Sequence, residues 1–320
     1  MGWQEERMVP IWTGDTVYEE SVAFIGGEDG RIRPVPLAYR AERILEVASL
    51  DRKTVYQEGK DYCLEDGTLV RVPGSAMPEW RYEEFYLPEP ATVAIRSGRQ
   101  AGKFIRFDAG DVYAAHQVAV TYIHEDGWHG TVPGYQGEAL PGTIGLLRNR
   151  RPMKAVYYGD SIMEGYDVSS IWKMEPFLHR LSELVTMEWR SHWGYQEIGE
   201  VNTALGGTDS AWGFAELEKR VCAHEPDLVV IGFGMNDGGT VEPRRYEDNI
   251  RKMIHRVRES APRAEFLLVA TMLPNPDGMG WGCFQPMYQW SLKSIAADTP
   301  GVAVAPMTEV SEYLLSRKRF

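Results

Sequence analysis

An apolar run, Ala155-Val156-Tyr157-Tyr158, breaks off at Gly159-Asp160-Ser161. A short apolar run closed by a glycine has the pattern of a strand buried on both faces of a parallel sheet. Ser161 would then stand just past the carboxyl end of that strand, where open α/β sheets hold their chemistry. Its hydroxyl is a potential nucleophile, and the amides of the turn it opens are left without partners. Two further polar clusters end strand-like runs. Val201-Asn202 leads into Thr203-Ala204-Leu205-Gly206-Gly207-Thr208-Asp209-Ser210, and Leu228-Val229-Val230-Ile231 leads into Gly232-Phe233-Gly234-Met235-Asn236-Asp237. All three clusters fall at one edge of one sheet.

These blocks resemble the signature of the SGNH, or GDSL-type, hydrolase superfamily. That signature is a Gly-Asp-Ser block with the nucleophile, a block ending in glycine, a Gly-x-Asn-Asp block and a late Asp-x-x-His block. The first three stand in order here, and the likeness covers about half the chain, from about residue 150 onward. It implies a serine ester hydrolase with Ser161 as nucleophile. The oxyanion hole would combine the Ser161 N–H, the Gly207 N–H and the Asn236 side-chain amide. Gly206 is the alternative donor if the alignment slips by one. Asp160 and Asp237 would support their loops by hydrogen bonds. Asn236 and Asp237 also suit an ordinary turn or helix entry.

The fourth block is missing: no Asp-x-x-His follows Asn236. The expected topology puts His192 and His224 at the opposite sheet edge, and His179 and His255 about twelve residues along their helices, roughly 18 Å from the motif edge at the usual rise. His116, His124 and His129 belong to the first part of the chain. The chain is therefore expected either to continue past Phe320 into an Asp-x-x-His segment or to be a crippled homologue. In the first case Val310, Tyr313, Leu314 and Leu315 would begin a pattern that is not closed at Arg317-Lys318-Arg319-Phe320.

The elements that must position these blocks follow from periodicity. Strands are expected at 154–159, 197–202, 227–233, 265–271 and 301–305. Helical stripes run through Ile171, Met174, Leu178, Leu181 and Val185, through Phe214, Leu217 and Val221, through Tyr246, Ile250, Met253, Ile254 and Val257, and through Tyr288, Leu292, Ile295 and Ala296. Strands alternating with helical crossovers predict an α/β fold with a doubly wound, parallel five-stranded sheet. The resemblance adds the flavodoxin-like order. The loop Pro274-Asn275-Pro276-Asp277-Gly278-Met279-Gly280-Trp281-Gly282 follows the fourth strand at the same edge and is either a pocket wall or a plain surface loop.

Residues 1–146 instead show short alternating segments: 44–47, 62–64, 68–72, 92–95, 104–107 and 117–122. Turn signals stand at Asp29-Gly30, Asp66-Gly67 and Asp126-Gly127, and a long loop is expected over 73–90. An antiparallel β-sandwich of jelly-roll type is expected there as an accessory domain, with 147–320 as the hydrolase-like domain. The boundary falls over 141–152, where Gly142, Gly145, Arg148, Arg150 and Arg151 interrupt the pattern. Trp80, Tyr82, Trp128 and Tyr135 could stack on sugar rings, although aromatics in β-domains more often fill cores. His124 and His129 are read as surface loop histidines rather than metal ligands, two histidines alone being a poor site.

Composition narrows the function classes. With 43% hydrophobic and 25% charged residues in 320, the chain is of globular type, and its net charge of −12 disfavours a nucleic-acid partner. No apolar run approaches a membrane span, and the first seven residues lack the secretory pattern. Three widely spaced cysteines, Cys63, Cys222 and Cys283, suggest reduced thiols and a cytoplasmic setting. No nucleotide motif is present, so no cofactor or metal is expected. The leading expectation is removal of small O-acyl groups, acetyl above all, from a small-molecule or carbohydrate ester. The alternative is a non-catalytic carbohydrate-binding protein on an inactivated hydrolase fold. A lipase ranks third, since no apolar lid is evident.

Overall fold

The computed structural model describes residues 8–108, 110–280 and 282–318. The amino-terminal pattern at 1–7, Trp281 of the glycine-rich loop and the final Arg319-Phe320 lie outside the described residues.

In the first part of the chain β1 (Thr16–Ala23), β2 (Ala41–Ser49) and β8 (Gln117–His124) form a three-stranded antiparallel sheet in the order β1-β8-β2. β3 (Tyr62–Glu65) and β4 (Thr68–Arg71) make a hairpin. Its turn is the predicted Asp66-Gly67, with both residues at positive φ (49° and 76°), as a tight two-residue hairpin turn demands. β5 (Tyr86–Leu87), β6 (Ile95–Ser97) and β7 (Phe104–Ile105) form a third sheet, which takes its fourth strand from far downstream. The one-turn helices α1 (Tyr82–Phe85) and α2 (Asp111–Ala114) complete this part.

Several expectations for this region need correction. β1 carries an irregular register between Val17 and Glu20, so its period of two is broken where the pattern would have shown it. Asp126-Gly127 is no hairpin: the Asp126 carboxylate accepts from Arg40 N at 3.0 Å and pairs with Arg317 at 2.7 Å. His124 is buried in β8 and stacked on Tyr39, at 3.8 Å between ring centroids, so it is not a surface histidine. Trp80 is a core residue, with the His116 ring stacked 3.7 Å from its own.

Where a domain boundary was expected, Pro141–Arg148 is helix α3. Its proline at the first helical position needs no N–H partner, and the Glu265 carboxylate accepts from the Gly142 and Thr143 amides at 2.8 and 2.7 Å.

The remainder is the predicted α/β unit. β9 (Met153–Gly159), the one-turn α4 (Ser161–Glu164), α5 (Leu181–Trp193), β10 (Ile198–Asn202), α6 (Ser210–Ala215), α7 (Leu217–Arg220) and β11 (Leu228–Gly232) follow one another. Then come α8 (Pro243–Ser260), β12 (Glu265–Val269), β13 (Gly278–Met279), α9 (Gln285–Asp298), β14 (Val302–Ala305) and α10 (Met307–Arg317). The large sheet is parallel, with order β10-β9-β11-β12-β14. This is the flavodoxin-like arrangement implied by the resemblance. The strands are buried on both faces: Val156, Tyr158, Val229, Ile231 and Leu268 join one core with α8 and α9, whereas Ala155, Tyr157, Leu228 and Val230 join the other.

The helical stripe drawn through Ile171, Met174 and Leu178 does not exist. Helix α5 starts only at Leu181, and 165–180 is irregular. Local hydrogen bonds, such as Leu178 N to Ser169 Oγ at 2.8 Å, satisfy backbone that a helix would otherwise have satisfied.

Contacts made by β13 and by α10 help to sew the two halves together. β13, from the loop after β12, pairs antiparallel with β6. Helix α10 lays Tyr313 against Trp128, with ring centroids 4.4 Å apart, while Arg317 donates to the Ala38 carbonyl at 2.7 Å.

Candidate active site

The parallel strands run the same way, so the loops after β9, β10 and β11 share the carboxyl edge of the sheet. Ser161 opens α4 directly after β9 and is half-buried. Gly159 makes this junction possible, because a Cβ there would lie 2.2 Å from the Gly232 carbonyl oxygen on the neighbouring strand.

The three blocks are wired to one another. Asp160 caps α4, one carboxylate oxygen accepting from Ile162 N at 3.0 Å and the other from Met235 N at 3.3 Å, which ties the first block to the third. Glu164 reaches across to accept the Gly206 N–H at 2.6 Å, tying the first block to the second. Asn236 Nδ2 donates to the Thr208 carbonyl at 2.9 Å. Asp237 is fully buried and accepts from the Ser210 amide at 3.1 Å and from its hydroxyl at 2.5 Å, while Asn249 holds that hydroxyl from α8.

Burial dominates the electrostatics. It lifts Asp160 to about 6, opposed by the amides of Ile162 and Met235 and assisted by the nearby Asp237. Asp237 is lifted to about 6 as well, again mainly by burial and against the hydrogen bonds from Ser210.

The donors named from sequence meet unevenly. Gly206, the alternative donor, has its N–H taken by Glu164. Gly207 sits at φ 77° with open space around its α-carbon, and among the described residues nothing accepts its N–H or that of Ser161. Asn236 commits one amide hydrogen to Thr208, and a primary amide has a second. Glu164 and Tyr166 were not singled out in the sequence. A Cβ on Gly206 would lie 3.1 Å from Glu164 Oε2, 3.4 Å from Ser161 Cβ and 3.6 Å from Tyr166 Cδ2, so all three border one methyl-sized space. The signal was spacing: Glu164 is one helical turn beyond Ser161.

No histidine among the described residues is hydrogen-bonded to Ser161. His255 sits in the last part of α8 beside Glu259, with 3.4 Å between ring nitrogen and carboxylate. His179 needs correction, because it immediately precedes α5 and so lies near the carboxyl edge rather than deep in a helix. Its Nδ1 is 3.4 Å from Glu183 Oε2.

A parallel sheet in this order, with a serine after its first strand and glycine and asparagine loops after the next two, defines an SGNH-type α/β unit. Residues 157–317, just over half of the sequence, match the GDSL-like Lipase/Acylhydrolase family, and the chain belongs to it. Among characterised relatives, the Thioesterase 1/protease 1/lysophospholipase L1 of Escherichia coli (strain K12) is 29% identical over 119 residues, covering 36% of this chain and 50% of that protein. An arylesterase of Vibrio mimicus is 29% identical over 108 residues, covering 33% and 50%. The chain thus spans about half the length of the curated relatives it matches. Among solved structures, an acetylxylan esterase from Geobacillus stearothermophilus aligns with a TM-score of 0.42 at 19% identity, over 52% of this chain and 81% of that one. No helix of the described residues is long and apolar enough to cross a membrane.

Proposed function

We propose that the protein is a serine ester hydrolase that removes small O-acyl groups, acetyl above all, from a carbohydrate or other small ester. The observation that carries this reading is the convergence of Ser161, Gly207 and Asn236 at one sheet edge, with the loops locked to one another by Asp160, Glu164, Asn236 and Asp237. Attack of Ser161 Oγ on the acyl carbon, its proton passing to water, sends the carbonyl electron pair to oxygen. The amides of Ser161 and Gly207 and the second hydrogen of Asn236 Nδ2 would receive that charge. These donors need no reorganisation as the charge develops, since their loops are already fastened. Collapse of the adduct breaks the bond to the ester oxygen and releases the protonated alcohol, and water then hydrolyses the acyl-serine to free acid and serine.

Glu164 and Tyr166 stand close to the Ser161 side of Gly206, which favours a small acyl group over a long one. The names of the sequence relatives, a thioesterase and an arylesterase, agree with acyl transfer to water. One observation favours the second reading, a carbohydrate-binding protein on an inactivated hydrolase: no described histidine is bonded to Ser161. Hydrolysis of p-nitrophenyl acetate separates the two. Turnover lost in Ser161→Ala supports the enzyme, and turnover at the buffer rate in both proteins supports the binder.

A further inference from the structure

The site has an aromatic side that the catalytic reading leaves unused. Tyr166 follows α4 after Gly165, its N–H donating to the Ser161 carbonyl at 3.0 Å, and its ring edge and the Ser161 side chain flank the same side of Gly206. Trp172 packs on it at 5.4 Å between centroids with planes at 89°, and its indole N–H donates to the Tyr166 carbonyl at 2.7 Å. That bond uses the polar edge of the indole internally. Even so, Tyr166 and Trp172 stay 39% and 38% exposed, when rings of this size next to a core would ordinarily be covered.

The pair is braced from the other half of the molecule. Gly110, at φ 79°, lies flat against the indole, so that a Cβ there would stand 3.0 Å from Trp172 Cδ2. Burial raises the pKa of Asp167, and the Gly110 backbone beside its carboxylate opposes that rise. Lys53 of the first part pairs with Glu175 at 3.2 Å, a few residues beyond Trp172. The antiparallel part of the chain therefore holds the segment that carries both rings.

We propose that Tyr166 and Trp172 form a stacking wall for the ring of the alcohol half of the ester, a pyranose or furanose presenting a C–H face. This rests on the small-acyl reading above. An acetyl group ends one carbon beyond the carbonyl, so it cannot occupy both rings. A ring joined through the ester oxygen extends past the acyl carbon and can touch both, lying face-on to one and against the edge of the other, since the two planes stand at 89°. By pressing Gly110 on the indole, the antiparallel part sets the depth of that wall, which makes it a contributor to specificity rather than a detached accessory.

Binding tests the wall without turnover. In Ser161→Ala protein, a per-O-acetylated pentose is titrated against intrinsic fluorescence, and Trp172→Ala in that background should weaken its affinity about three- to tenfold, the usual scale of one aromatic contact. Gly110→Ala, which pushes on the indole from behind, should weaken it in the same direction. In Ser161-containing protein, Trp172→Ala should raise KM for the pentose ester by the same factor, with kcat within about twofold, and leave KM for ethyl acetate unchanged. Equal losses on ethyl acetate would show general disturbance of the site and overturn the proposal. So would a loss confined to p-nitrophenyl acetate, which would point to an aryl alcohol, or pentose affinity unaffected by Trp172→Ala. Absence of any hydrolysis together with Trp172-dependent sugar binding would instead strike the esterase reading and leave the wall standing.

Discussion

The two halves of this molecule reach order by different means. At the carboxyl edge of the parallel sheet, backbone meets backbone so closely that residue identity is dictated by sterics, and the loops are fixed by buried carboxylates. In the antiparallel half the main strands are longer, eight or nine residues, but the register of β1 and β2 on β8 slips along its length, and several turns open outward. Gly159 and Gly102 show the contrast. A Cβ on Gly159 would run into the Gly232 main chain, whereas one on Gly102, at φ 73°, would meet nothing within 4 Å. The junction of β9 with α4 has no slack at Gly159, which suits a site whose geometry must not drift. The second holds loops in place and tolerates local change.

The largest expected effect sharpens that contrast. Gly159→Ala should destabilise the protein by more than about 4 kcal/mol, or prevent soluble expression, because no side chain is available to give way. Gly102→Ala should cost only about 1–2 kcal/mol, the strain of a positive φ. Chemical denaturation compares the two, and similar costs at both positions would erase the distinction.

Next comes Asn236→Ala, for which kcat should fall about 10²–10³-fold with KM nearly unchanged, the pattern of an oxyanion donor. A rise in KM at constant kcat would make Asn236 a ground-state contact instead.

The seam between the halves should respond in a third way. Asp277 is buried and accepts from Ser97 Oγ at 3.1 Å and Arg99 N at 2.7 Å, while Gly98 N donates to its carbonyl at 2.8 Å. Downstream of it Phe284 N bonds Gly238 O at 2.9 Å, next to Asn236. Asp277→Ala should cost about 1.5–3 kcal/mol, the scale of hydrogen bonds to a charged group. Limited proteolysis should then open the loop between 274 and 284 before the parallel sheet unfolds. Unchanged resistance there would mean that the strand pairing of β6 and β13 suffices.

The smallest effect concerns pH. Asp160 and Asp237 rise from 3.8 to about 6 on folding, so between about pH 4 and pH 6 the folded protein keeps protons that the unfolded chain has released. Each group therefore subtracts stability as pH rises through that window, and the subtraction is complete above it. Asp237→Asn removes the effect. Relative to the unmodified protein it should gain roughly 1–3 kcal/mol between pH 4 and pH 7, whatever its constant loss of hydrogen bonding. A constant difference across that range would contradict the raised pKa.

Much of the parallel half was legible because β9 and β11 are apolar on both faces and end abruptly at Gly159 and Gly232. The common edge of the three polar clusters followed from that pattern, while the choice of Ser161, Gly207 and Asn236 within them came with the family resemblance. The segment 165–180 was not legible: its apolar residues fall at helical spacing by coincidence, and a side-chain hydroxyl, Ser169 Oγ, answers the backbone instead. That error also misplaced His179. The antiparallel half hid β1 behind its irregular register and β13 in a distant loop, where Asp277 beside it lies 180 residues from Ser97, a pairing no local pattern can reveal. Glu164 and Tyr166 escaped notice because their role depends on a contact with Gly206, across two loops.

We propose Ser161 as the nucleophile, held by the three fastened blocks. A serine-directed fluorophosphonate, followed by intact-mass and peptide mapping, tests it most directly. The account predicts stoichiometric phosphonylation at Ser161, none in Ser161→Ala protein, and markedly slower labelling in Asn236→Ala. Labelling at a different residue, or labelling of Ser161→Ala at the unmodified rate, would contradict it.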